Sequence, residues 1–153
     1  MADDTSNREI VSTRIINHPQ ALVCNAWTNP DQLKNWWGPK GFTNTFHQFN
    51  ATPGGQWNYT MHGPDGRDYE NESIFEAVNA PQQVVIYHTS KPEFRLIGTF
   101  EAVDAEHTKI TFHQIFDSAS VYEAVKPICI PANDENLDRL ESVLNESKDK
   151  PTS

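Results

Sequence analysis

Histidine, tyrosine and cysteine are the residues of this chain that could carry protons or attack an electrophile. Six histidines are present, among them His47, His62, His88, His107 and His113. A metal site would show ligand pairs such as H-x-H or H-E-x-x-H, which hold two imidazoles on one face. Neither spacing occurs. Cys24 and Cys129 match no zinc or redox spacing either. A nucleophilic Cys129 would need a base and an oxyanion hole, and no local motif supplies them. Gly54-Gly55 lacks the helix and lysine that follow in a phosphate loop, so it reads as a hairpin corner. Antiparallel pairing could bring His88 and His113 together, with Tyr87, as the acid–base set of a cofactor-free cyclase- or hydrolase-type enzyme. The plainer expectation is that His88 and His113 are hydrogen-bonded parts of the scaffold. His18, His62 and His107 flank turns and are expected in solvent. No catalytic residue, metal or cofactor is expected on this reading.

Aromatic side chains are the more informative set. The stretch Trp36–Gly66 holds three of the four tryptophans, six of the seven glycines and three of the ten prolines. Its order is an aromatic pair, a Gly/Pro turn, a strand, a Pro-Gly-Gly turn, a second strand and a third Gly/Pro turn. That is a hairpin framed by turns. Trp57, Tyr59 and Met61 alternate along its second strand and so share one face.

The elements that must position these residues follow from periodicity. Residues 1–7 read as a flexible leader, 8–147 as one domain and 148–153 as a flexible tail. A first strand is expected over 9–17, then a helix over 19–27 with Leu22, Val23, Ala26 and Trp27 on one face, then a short helix over 31–36. Period-two alternation predicts six more strands, over 42–50, 56–62, 69–79, 84–89, 95–103 and 108–116, joined by short loops in an antiparallel meander. Pro127 and Pro131 are expected to interrupt a weak helix that begins near Ser120. Asn133 then caps a long final helix carrying Leu137, Leu140, Val143 and Leu144 on one stripe. An apolar stripe must be covered, and the concave face of the sheet is the large partner available. The expected fold is therefore α+β, a curved seven-stranded antiparallel sheet around a long C-terminal helix, with two short helices after strand 1.

Charge bounds the partners. Lys plus Arg is 12 against 21 for Asp plus Glu, a net charge of −9 in 153 residues. That disfavours nucleic acid, whose binding rests on cations that displace counterions, and anionic membrane surfaces likewise. No apolar run is long enough to span a bilayer. The acidic N-terminal segment is unlike a signal peptide, so a cytoplasmic location with free thiols is expected.

Three motifs carry a resemblance: Trp36-Trp37-Gly38-Pro39-Lys40-Gly41-Phe42-Thr43, Pro53-Gly54-Gly55-Gln56-Trp57, and Met61-His62-Gly63-Pro64-Asp65-Gly66. Together with Pro81 before an apolar strand and Asn136-Leu137-Asp138-Arg139-Leu140 in the last helix, they resemble the activator-of-heat-shock-protein-90-ATPase-like domains. Those domains belong to the START-like (SRPBCC) helix-grip superfamily, and the resemblance spans roughly residues 8–146. It implies the β-α-α-β6-α order read above. Members commonly have Asp and Arg where this chain has Asn50 and Thr52. They also carry Gly-Trp before the final helix, where this chain reads Ile128–Asp134, which implies a different pocket mouth.

The function expected is binding of a small hydrophobic or amphipathic, lipid-like molecule between the sheet and the last helix. Its expected lining is Trp37, Phe42, Phe46, Trp57, Tyr59, Phe75, His88, Phe100, His113, Phe116, Leu137 and Leu140. About a third of the chain's inward aromatics, Phe112 included, should touch the pocket and the rest should be core. The resemblance implies an alternative, a co-chaperone-like domain for a heat-shock-protein-90 homologue. The cofactor-free enzyme stands third.

Overall fold

The computed structural model describes residues 7–38, 40–90 and 93–149, the side chains of 147–149 excepted. Strand β1 (Glu9–Ile16) is followed by helices α1 (Gln20–Thr28) and α2 (Pro30–Trp36). Six strands then run in succession: β2 (Thr43–Phe49), β3 (Gln56–His62), β4 (Asp68–Asn79), β5 (Gln83–His88), β6 (Phe94–Asp104) and β7 (His107–Phe116). Helix α3 (Ala119–Asp149) closes the chain. The seven strands form one sheet in the order β1-β7-β6-β5-β4-β3-β2, every neighbouring pair antiparallel. Strand 1 returns to pair with strand 7, so β1 and β2 are the two edges. The fold is the α+β one expected, a curved open sheet with a long last helix and two short helices after strand 1.

Alternation sorts the sheet into two faces. Trp57, Tyr59, Ser73, Phe75, Val84, Ile86, His88, Leu96, Phe100, Ile110, Phe112, Gln114 and Phe116 are among the buried residues of the inner face. Register shifts at Phe46/Gln48, Phe75/Ala77 and Ala102/Asp104 mark bulges. Bulges increase local twist and bend a sheet toward the elements it covers.

The helices lie on that concave face. Helix α1 buries Val23, Cys24, Ala26 and Trp27, while Leu22, expected inside, is 48% exposed. The Trp27 ring reaches the sheet at Gly98, where a Cβ would stand 2.8 Å from its Cη2. Helix α2 starts on Pro30, with the Asn29 side chain accepting from the Asp31 N–H at 3.0 Å. In α3, Asn133, Asn136, Leu137, Leu140 and Leu144 form the buried stripe, the spacing of one helical face.

Helix α3 corrects the sequence reading at two points. It runs through Pro127 and Pro131 without interruption, although an interior proline removes a hydrogen bond and costs ~3 kcal/mol. Its start is held by Ser118, whose Oγ accepts from the Val121 N–H at 3.4 Å, so Asn133 is an interior residue and not a cap. The helical backbone runs on through residues 148 and 149, the start of the expected tail. The rest of that tail, and the expected leader apart from Asn7, lie outside the described residues. Among the described residues no helix is long and apolar enough to cross a membrane.

Candidate functional site

The space between sheet and helices is filled unequally. On the α1–α2 side Trp27 packs against Trp36, Phe100 and Phe112 at 5.2–5.7 Å between ring centroids. Under the hairpin, Trp57 stacks on Tyr59 at 4.4 Å and meets Phe46, Phe49 and Phe75. These clusters are close-packed core. Beside the first half of α3 the packing stops, and a cavity of about 220 Å³ remains.

Each wall comes from a different element. The sheet supplies Tyr59 and Met61 from β3, and Phe94, Leu96 and Phe112 from β6 and β7. The connection after α2 supplies Trp37 and Gly38, and α3 supplies Ile128, Cys129 and Ala132 at the mouth. Gly38 has φ +95, and a Cβ there would stand 2.7 Å from the Met61 methyl. Glycine thus lets the chain turn at the wall without displacing its neighbour.

The polar groups of the wall fall into three sets. His88 stacks on Phe94 at 4.7 Å between ring centroids, and its Nε2 meets the Asn71 Oδ1 at 2.7 Å. Since the Asn71 Nδ2 donates to the Tyr69 carbonyl, its Oδ1 accepts, and His88 carries its proton on Nε2 toward it. The Tyr59 hydroxyl accepts from the Trp37 indole N–H at 3.1 Å. At the α3 end, the Asn133 Nδ2 donates to the Gln114 Oε1 at 3.0 Å and the Asn136 Nδ2 to the Trp36 carbonyl at 3.0 Å.

Among the described residues the wall carries no Asp, Glu, Lys or Arg. Burial pushes the Tyr59 phenol well above its ordinary range, opposed in part by the bond from Trp37. Burial also pushes the Cys129 thiol up, which keeps it protonated and a poor nucleophile. Among the described residues no group of three or more His, Cys, Asp or Glu could hold a metal ion.

Of the residues expected to line a pocket, Trp37, Tyr59 and His88 do. Phe46, Trp57 and Phe75 belong to the aromatic cluster under the hairpin, Phe100 packs on Trp27, and Leu137 and Leu140 are core. Phe42 meets Tyr69 at 6.0 Å. Phe116 stands behind Phe94, against Tyr122. His113 is on the outer face, its Nε2 2.9 Å from the Glu9 carboxylate. Tyr87 is also outside, donating to Asp117. The possible His88–His113 cluster is therefore not formed: β6 separates their strands, and the register aligns His88 with Phe94 and Phe116 but His113 with Ile97 and Val85, on the opposite face. His18 is a further correction: it is 3% exposed and bonds the Asn145 Oδ1 at 2.8 Å.

Sequence reasoning missed Asn71, Phe94, Leu96, Ala132, Asn133 and Asn136. One signal was available for Asn133 and Asn136. Both lie on the helical stripe that runs on to Leu137 and Leu140, and polar residues on a buried stripe point at something. Asn50 and Thr52 lie at the β2–β3 turn, where the Thr52 hydroxyl donates to the Asn50 Oδ1 at 2.9 Å. A neutral hydrogen bond thus stands in that turn, away from the cavity.

Known structures share this architecture. A solution structure of a protein from Arthrobacter aurescens superposes with a TM-score of 0.85 at 21% identity, covering 95% of this chain and 90% of that one. A crystal structure from Nitrosomonas europaea gives 0.84 at 16% identity, covering 95% and 99%. An AHSA1-like protein from Aeromonas hydrophila gives 0.74 at 16% identity, covering 95% and 97%. These identities speak for the fold alone. A search of curated proteins finds no significant match. The family model described as activator of Hsp90 ATPase homolog 1-like protein matches residues 17–145. With most of its length matched, from the end of β1 to the last turns of α3, the chain belongs to that family.

Proposed function

We propose that this protein binds a small, uncharged, mostly apolar molecule in the cavity between the sheet and the first half of α3. One observation carries the reading: a space of about 220 Å³ with an apolar, uncharged wall is left open in an otherwise close-packed interior. Close-packed interiors leave few gaps larger than a water molecule, and this open-mouthed pocket has room for about seven waters at ~30 Å³ each. It lies below the ~300–1,000 Å³ of drug-sized sites, which suits a one- or two-ring compound better than a long acyl chain.

A docking role on a heat-shock-protein-90 homologue has its own support, the apolar Val11 and Ile15 at 54% and 50% exposure on edge strand β1. An enzymatic role would rest on His88 as its acid–base group, with Tyr87 and His113 on the far face of the sheet.

A thermal-shift titration with naphthalene, paired with the variant Ala132→Phe, tests the leading reading. Ala132 lines the mouth, and a phenyl group there would occupy the space. The expected result is a melting temperature that rises with naphthalene concentration in the parent protein and stays flat in Ala132→Phe. No shift in the parent with naphthalene or with its lactam counterpart 2-quinolinone would overturn cavity binding and leave the docking role in front.

A further inference from the structure

We propose that the ligand of this cavity carries a hydrogen-bond donor directly beside an acceptor, as in a lactam or primary amide on a flat apolar body, and that Gln114 and Asn133 read this pair. The inference rests on the cavity-binding reading above and assigns the ligand's chemical class.

Most polar groups in the wall are already committed. His88 Nε2 and both side-chain polar atoms of Asn71 are engaged with each other, Ser90 and the Tyr69 carbonyl. The Tyr59 oxygen takes the Trp37 N–H. The amides at the α3 end are only half used. Gln114 Oε1 accepts from Asn133 Nδ2, and Asn136 Nδ2 is spent on the Trp36 carbonyl. Among the described residues nothing engages Gln114 Nε2, Asn133 Oδ1 or Asn136 Oδ1. Gln114, Asn133 and Asn136 are each only 6% exposed, and all three line the cavity.

Two facing amides can close a cyclic pair through two N–H···O bonds. Gln114 and Asn133 make one of the two, so the pair presents a spare donor on β7 and a spare acceptor on α3. A group with C=O beside N–H satisfies both at once, the carbonyl taking Gln114 N–H and the N–H giving to Asn133 Oδ1. Water would serve these atoms in the free protein, and only a ligand that reproduces its bonds displaces it without loss. A carboxylate presents two acceptors and no donor, and would leave Asn133 Oδ1 facing a like partial charge in an uncharged wall. A plain hydrocarbon leaves both groups unpaired, the situation that gives hydrogen-bonding sites their selectivity. The far end is apolar: Leu96 lies between Gln114 and Ile86 in the sheet register, so a flat ring fits against it.

Three probes of matched size separate the outcomes: 2-quinolinone (a lactam), naphthalene (its apolar counterpart) and 2-naphthoate (an anion). Their dissociation constants are measured by calorimetry on the full chain, with Gln114→Met and Asn133→Leu as variants, each checked for folding by circular dichroism. The expected result is 2-quinolinone binding at least about tenfold tighter than naphthalene, with the ratio falling toward one in either variant. Equal affinity for the two neutral probes, a ratio that persists in both variants, or tightest binding by 2-naphthoate would overturn the assignment and leave cavity binding standing. Failure of all three probes to bind would overturn both.

Discussion

The Arg139 Nη1 donates to the Gly38 carbonyl at 2.8 Å, tying the middle of α3 to the glycine that turns the cavity wall. The same guanidinium donates to the carbonyls of Trp37, Asn35 and Phe42 at 3.2, 3.0 and 2.8 Å. A planar fork with several N–H groups can serve carbonyls in different directions, which a lysine ammonium cannot match. Arg139→Leu is expected to cost ~2–4 kcal/mol in urea denaturation, because several half-buried carbonyls lose a charged donor. Arg139→Lys should recover less than half of that. Full recovery by lysine would mean that charge, not the fork, holds the connection.

Gly38→Ala tests the wall directly. Its φ of +95 strains any residue with a Cβ, at roughly 1–2 kcal/mol. The Cβ would also press on the Met61 methyl, the mobile end of a flexible chain that already faces the cavity. The expected outcome is a stability loss of ~1–2 kcal/mol and a smaller thermal shift with naphthalene than the parent shows. An unchanged shift would place the Met61 methyl away from the bound probe.

Gly98 and Trp27 form a coupled pair across the sheet–helix interface. A Cβ at 98 would lie within 3.1 Å of three Trp27 ring atoms, and that ring is fully buried. Overpacking of this kind costs ~1–3 kcal/mol for Gly98→Ala. In a Trp27→Phe background the penalty should shrink, and a double-mutant cycle of denaturation free energies measures the coupling. Additive effects would contradict the contact.

Tyr87 gives the outer face a pH dependence. Its hydroxyl donates to the Asp117 carboxylate, and that bond, with burial second, pushes the phenol up to about 12 from 10. The folded chain therefore holds this proton more tightly than the unfolded one. The contribution is complete below pH 10 and is lost as pH rises toward 12. Tyr87→Phe should decline less steeply than the parent across that window when stability is followed by denaturant titration. Identical slopes would mean the Tyr87–Asp117 bond does not persist in solution.

Much of the scaffold was legible because strands write their faces into alternate residues. β3 sets Trp57, Tyr59 and Met61 on one face as the alternation predicts, whereas the run Val84–Tyr87 in β5 does not by itself say that Val84, Ile86 and His88 face inward. The division of aromatics between cavity and core was not legible. Trp57 and Tyr59 lie on the same strand face, yet one is sealed under Phe46 and Phe75 while the other reaches the cavity. That depends on where α3 stops covering the sheet, a tertiary distance that period does not encode. Pro127 and Pro131 misled for a local reason. Their cost to a helix is real, but the buried stripe from Asn133 to Leu144 anchors the element and the helix tolerates them. His18 looked like a turn residue in solvent, and only the return of α3 with Asn145 buries it.

Those two prolines have a kinetic consequence. Lacking N–H groups, they leave the carbonyls of Glu123 and Pro127 without their usual i+4 donors, and no side chain from Ala119 to Ala132 is fully buried. This half of α3, which carries the mouth residues Ile128, Cys129 and Ala132, unwinds more readily than the anchored stretch 133–144. Amide hydrogens over 119–132 should exchange with solvent sooner than those over 133–144. Any guest would then enter and leave at a pace set by helix opening, while the walls behind it set how tightly it is held. Restoring the two missing donors by Pro→Ala substitution would lengthen residence and delay entry together, and the dissociation constant would barely move.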